Sequence, residues 1–167
     1  MRLQEATAIA DRVKQILSPY CDRIQTAGSI RRQKPIVNDI DLVIIQKPEP
    51  ALSLPALLLS MGVLKLNGPQ IKRLYLPNDN ITLDIYIATP LTWATLLLIR
   101  TGSKENNVRL CSLALRKGWQ LKANGDGLFN KHHNRVAGDT EQSIYQALGL
   151  PYQEPEERDG VYAQIPG

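Results

Sequence analysis

Little in this sequence would bind a soft metal, cross a membrane or keep a chain unfolded. Cysteine is scarce: 167 residues contain two, Cys21 and Cys111, and no pair has metal-ligand spacing. Both are expected to be free thiols in a reducing compartment. No apolar signal-like segment opens the chain, whose first apolar residues fall at helical spacing instead. The longest apolar runs, such as 96–99, are far too short to span a bilayer. The expected protein is therefore soluble, intracellular and cytoplasmic. Internal repeats and low-complexity segments are missing too, and a hydrophobic fraction of 43% is not that of a disordered chain. The length suits one domain, or a catalytic domain with a small appendage.

Acidic residues are sparse in one region. Arg100, Lys104, Arg109, Arg116, Lys117, Lys122, Lys131 and Arg135 are opposed there only by Glu105 and Asp126, whereas 139–159 is acidic. The net charge is +4, which permits a polyanionic partner without requiring one. The basic stretch is a candidate footprint on nucleic acid; on charge alone, a solvated helix face is the commoner explanation.

Leu3, Ala6, Ile9, Ala10, Val13, Ile16 and Leu17 have the spacing of an amphipathic helix stopped by Pro19. A strand-like stretch over 23–27 leads into Gly28-Ser29. The run 39–45 is rich in β-formers and is ended by Lys47, Pro48 and Pro50. A helix is expected over 54–61, with Pro55 near its start and Gly62 as its stop. Strands are expected over 63–66 and 71–76, then a turn at 77–80. Period-two alternation from Ile81 to Ile87 predicts a strand with one buried face. Pro90 is expected to open a helix to about Arg100, and Ser103 to cap another that ends at Gly118. A Gly/Asn turn over 124–127, a short β-like piece and a helix near 140–148 complete the chain. The expected fold is α+β: a mixed sheet with helices over 1–95, then a small helix-rich domain over 96–167, with the boundary between Pro90 and Thr101.

Asp39 and Asp41 are two apart on one strand and so share a face. Asp84 stands on another strand, between neighbours that face the other way. If the strands pair, three carboxylates converge and repel one another, and cations relieve the repulsion. Oxygen-only ligands favour Mg²⁺ or Mn²⁺, and two such ions can clamp the attacking and leaving oxygens of a phosphoryl transfer. For a lone Asp-x-Asp, simple exposure is the commoner explanation. Gly28-Ser29-Ile30-Arg31-Arg32 sharpens the pattern: a Gly-Ser turn before a helix can hold phosphate oxygens through backbone N–H groups and a hydroxyl, and the arginines add charged donors.

These motifs resemble the family X DNA polymerases, the group that contains polymerase beta and terminal transferase. Residues 27–32 through 39–43 look like that family's palm motif, and Leu83-Asp84-Ile85 is placed like its third metal-binding aspartate. Thr101-Gly102-Ser103-Lys104-Glu105-Asn106-Asn107 is similar to its nucleotide-contacting motif, and 144–152 with Glu154-Pro155-Glu156 to its C-terminal signature. The resemblance implies a nucleotidyltransferase palm followed by a thumb, acting as a DNA polymerase that adds nucleotides to a primer 3′-hydroxyl, in short-gap filling during repair. It implies two Mg²⁺ ions, replaceable by Mn²⁺, on Asp39, Asp41 and Asp84, with Asp84 also a base candidate. Gly28, Ser29, Arg32, Gly102 and Asn107 would serve the nucleotide; Lys104 and Arg109 would meet DNA. Partners would be primer/template or gapped DNA and nucleoside triphosphates, with a monomeric protein and no membrane. No lyase domain or helix-hairpin-helix clamp is expected in this minimal palm-plus-thumb form.

The pattern is broken in places. Ile99-Arg100 replaces an aromatic pair whose first member crowds the sugar 2′ position, which predicts weaker discrimination against ribonucleotides. Asn106 replaces an aromatic residue or histidine, Cys111 stands where an arginine often reads the template, and 124–127 alters a thumb strand. The altered template-reading positions motivate addition without a template, or to a non-DNA acceptor, as an alternative; an inactive nucleic-acid-binding module is a third, and the intact Asp39, Asp41, Asp84 and Gly-Ser-x-Arg-Arg argue against it. In an unrelated protein Asn107 would more commonly stabilise the helix start, but within this motif the nucleotide role is expected; His132-His133 reads as an exposed basic loop. Trp93 and Trp119 are expected in packing positions.

Overall fold

The computed structural model describes residues 1–48 and 53–160, so Pro50 lies outside the described residues. Two compact units divide the chain, Met1–Pro90 and Leu91–Gly167.

The first unit is a five-stranded mixed sheet with helices on one face. Helix α1 (Leu3–Leu17) has Ala6, Ile9, Ala10, Val13 and Leu17 buried along one stripe. Pro19 falls in a 3-10 turn over Ser18–Tyr20, which cannot continue the α-helix. Strands β1 (Cys21–Thr26) and β2 (Asp39–Gln46) flank the four-residue helix α2 (Gly28–Arg31). Helix α3 (Leu54–Met61) is capped by Ser53, which accepts from Ala56 N at 3.2 Å, and stops at Gly62. Strands β3 (Val63–Asn67), β4 (Ile71–Leu76) and β5 (Ile81–Ala88) follow. The sheet order is β1-β2-β5-β4-β3, and β2 runs parallel to β5 while the other neighbours are antiparallel.

Alternation along the strands builds the core. Ile40, Leu42 and Ile44 of β2, Leu83 and Ile85 of β5, and Leu74 and Leu76 of β4 form one cluster with α1, Leu54 and Leu58. Asp39, Asp41 and Asp84 occupy the alternate positions, so they leave the helical layer for the opposite face. A cleft of about 430 Å³ lies on the helical side, between α1, α3 and the β4–β5 turn, lined mainly by Val13, Ile16, Leu57, Met61 and Leu76.

In the second unit, α4 (Trp93–Thr101) starts three residues after Pro90, because a turn intervenes. Ser103 caps α5 (Lys104–Arg116) by accepting from Asn106 N at 3.2 Å. Where the sequence suggested one β-like piece, three short strands form an antiparallel sheet: β6 (Gln120–Lys122), β7 (Gly127–Phe129) and β8 (Arg135–Ala137). Strands of three residues are too short for a period to show. Helix α6 (Glu141–Ala147) begins with a reciprocal Thr140–Ser143 cap. Leu98, Leu110, Leu121, Leu128, Ile144 and Tyr145 anchor this unit's own core. Trp93 is buried and Trp119 packs against the cluster. Both cysteines are free. Among the described residues no helix is long and apolar enough to cross a membrane.

Candidate functional site

Strand register brings the predicted carboxylates together in the first unit. Asp41 is the direct partner of Asp84 across the parallel β2–β5 pair, and Asp39 lies two residues before Asp41 on the same face. Asp39 is exposed, Asp41 half-buried and Asp84 only 6% exposed.

The glycine turn is tied to the same strand. Ala27 N donates to Asp41 O at 2.8 Å. Gly28 follows with φ +60°, and a Cβ there would stand 2.1 Å from Asp41 Oδ2. A larger residue would therefore meet both backbone strain and the carboxylate. Ser29 and Arg32, both half-buried, sit on the short turn of helix that follows.

Arg73, which the sequence did not single out, completes this patch. It faces Asp84 across the antiparallel β4–β5 pair. Its Nε donates to Asp84 Oδ1 at 2.7 Å and its Nη2 to Oδ2 at 3.4 Å. The Asp84 carboxylate, by hydrogen bond and then by charge, holds the guanidinium above its ordinary range; burial opposes this weakly, and Tyr86 and Asp39 add to it. The sequence signal was available in retrospect: a basic residue at an outward position of a strand next to the one bearing Asp84.

Three carboxylates on one sheet face are hard oxygen donors, and Gly28 leaves room against one of them. The donor set thus fits a divalent cation such as Mg²⁺ or Mn²⁺. In the arrangement seen, no three His, Cys, Asp or Glu side chains among the described residues form a group ready to hold a metal, and Asp84 is engaged by Arg73.

The second unit carries the remaining predicted residues. Gly102 has φ +74°, and its peptide bond to Ser103 is cis. Ser103 N and Oγ both donate to Arg158 O, at 3.1 and 2.6 Å. Asn106 is fully buried and donates to the Tyr145 hydroxyl at 3.0 Å. Asn107 Nδ2 donates to Ile99 O at 2.8 Å, satisfying a carbonyl in the last turn of α4, while its Oδ1 is buried and accepts no hydrogen bond from the described residues. Lys104 is exposed; Arg109 is half-buried and donates to Gln153 Oε1 at 3.1 Å.

The Ser103 anchor rests on a buried ion pair that the acidic run of the sequence concealed. Arg158 is 0% exposed and donates to Glu141 Oε2 at 2.7 Å, to the Tyr152 hydroxyl at 3.0 Å and to Gln153 O at 3.0 Å. Burial alone would depress its guanidinium; Glu141, with the two tyrosines, reverses that and holds it protonated.

Comparison with known proteins agrees with this architecture. Residues 96–159 match the DNA polymerase beta thumb family. Leishmania infantum polymerase beta, solved as a ternary P/T complex, superposes with a TM-score of 0.75 at 24% identity, over 96% of this chain and 77% of that one. The same polymerase solved as a ternary gap complex gives a TM-score of 0.74 at 23% identity, over 96% of this chain and 71% of that one. The chain thus takes the polymerase beta fold, with residues 96–159 similar to the polymerase beta thumb.

Proposed function

We propose that the protein is a DNA polymerase of the family X type, which adds nucleotides to a primer 3′-hydroxyl at short gaps, with the first unit as palm and the second as thumb. The observation that carries this reading is the register of Asp41 with Asp84 on parallel strands, with Asp39 beside them and Gly28 packed against Asp41. Similarity to a polymerase solved with P/T and gapped substrates supports DNA as the partner.

Divalent cations bound by Asp39, Asp41 and Asp84 would neutralise charge on the transferring phosphoryl group. The chain's own work is positioning. Ser29, Arg32 and the Gly28 turn hold the β- and γ-phosphates of the incoming nucleotide, and Asn107 turns its amide to the base. Lys104 and Arg109 steady the DNA backbone. Asp84 accepts the proton of the primer hydroxyl. Such catalysis comes from orientation and charge compensation, with no covalent intermediate on the protein.

The test is single-nucleotide extension on a one-nucleotide gap and on unpaired DNA, with Mg²⁺ or Mn²⁺. Template-matched addition at the gap supports the reading, and Asp84→Ala must lower it by roughly a thousandfold or more while DNA binding survives. Near-normal turnover by Asp84→Ala would remove Asp84 from the site. Addition that ignores the template would make the protein a terminal transferase; nucleotide binding without addition would make it a binding module.

A further inference from the structure

We infer that Arg73 is a positioning residue that competes with divalent cations for Asp84, and so sets how tightly the carboxylate patch takes them. The inference rests on the reading of Asp39, Asp41 and Asp84 as a cation site.

Geometry supplies the competition. Arg73 and Asp84 are register partners, so the guanidinium reaches the carboxylate without crossing another strand. Two nitrogens approach two oxygens, at 2.7 and 3.4 Å. A hard cation and a guanidinium seek the same oxygen lone pairs, and charge-assisted bonds of this kind are the stronger class of hydrogen bond. They must be loosened or broken before Asp84 can turn to a cation.

Burial decides which partner moves. The Asp84 side chain is 9% exposed, whereas that of Arg73 is 46% exposed. Released from Asp84, the guanidinium can return to water at small cost, while an uncompensated carboxylate in the sheet would be expensive. Arg73 therefore suits a replaceable counter-charge: it covers Asp84 while no cation is bound and withdraws when one arrives.

The test measures Mn²⁺ binding without nucleotide or DNA, by the loss of the free-ion electron paramagnetic resonance signal. Arg73→Gln is expected to bind Mn²⁺ about five- to tenfold more tightly than the wild type, the lower end of a charge-assisted pair discounted for exposure. Arg73→Lys, which keeps the charge but cannot make the two-pronged contact, should fall between them and covers any failure of Arg73→Gln to fold. In an Asp84→Asn background the Arg73→Gln gain should vanish, a coupling that a purely structural role would not give. Equal or weaker binding by both Arg73 variants overturns the competition. If Mn²⁺ binding is also indifferent to Asp84→Asn, or absent from every variant, the cation-site reading itself falls and takes this inference with it.

Discussion

Replacing Arg158 by methionine should unfold the second unit more readily than any substitution on its surface. Methionine keeps much of the apolar stem and removes the donors to Glu141, Tyr152 and Gln153. It leaves Glu141, whose side chain is 9% exposed, without its guanidinium partner. Breaking a buried pair from one side costs about 3–5 kcal/mol, against a total stability of about 5–15 kcal/mol for a typical domain. Urea unfolding followed by tryptophan fluorescence isolates the effect, because both tryptophans, Trp93 and Trp119, lie in Leu91–Gly167. With a urea slope of about 2 kcal/mol per molar, the midpoint should fall by roughly 2 M. Far-UV circular dichroism then follows both units, which need not unfold together. The double variant Arg158→Met with Glu141→Leu should recover most of the loss, since an apolar pair strands no charge. A shift below about 1 kcal/mol in the single variant, or no recovery in the double, would refute the assignment of this pair as the keystone of the Ser103 anchor.

Gly28→Ala should cost about 1–2 kcal/mol of stability through its left-handed backbone, yet lower turnover by roughly a hundredfold by displacing Asp41; steady-state extension with a parallel melting curve separates the two. The Cys21 thiol is pushed up to about 11, first by burial and next by Asp22 against the opposing charge of Lys47, from an ordinary value of 9.0. A rise of that size lowers its thiolate population at pH 8 by roughly a hundredfold; burial raises the half-buried Cys111 thiol too, but by less, so in native protein a thiol reagent read by mass spectrometry should label Cys111 before Cys21. The same shift makes the folded state hold a proton that the unfolded state loses, so this contribution is complete below pH 9 and disappears between pH 9 and 11. Ile99 and Arg100 predict ribonucleotide incorporation within about tenfold of deoxyribonucleotide incorporation; a strong deoxyribonucleotide preference in paired assays would reject it.

Elements governed by local chemistry were legible before any coordinates. Pro55 and Gly62 mark both ends of α3, and strict alternation marks β5 and places Asp84 opposite its aliphatic neighbours. Asp39-x-Asp41 announced a shared face, because period two is a property of any strand. What stayed hidden depends on distant partners. The three strands of the second unit hold together through pairing and packing, with turns taking up much of 120–137. Arg73 gained meaning only once β4 was known to lie against β5, and Arg158 looked like one cation in an acidic tail until its partner proved to be Glu141 on α6. Asn107 shows the reverse case: its motif drew the eye to a nucleotide, while the fold also gives it a local duty toward Ile99 O.

The parallel pairing of β2 with β5 has a consequence in time as well as in space. Asp41 and Asp84 are register partners, yet they stand 43 positions apart in the chain, and α3, β3 and β4 lie between them. The β3–β4 and β4–β5 hairpins can zip from short turns, whereas β2 must close a long loop to find its parallel neighbour. The two carboxylates should therefore meet late, after much of the local secondary structure has formed. A partly folded chain could show most of its helix and hairpin signal and still have no acidic patch, so catalytic competence should lag behind circular dichroism during refolding.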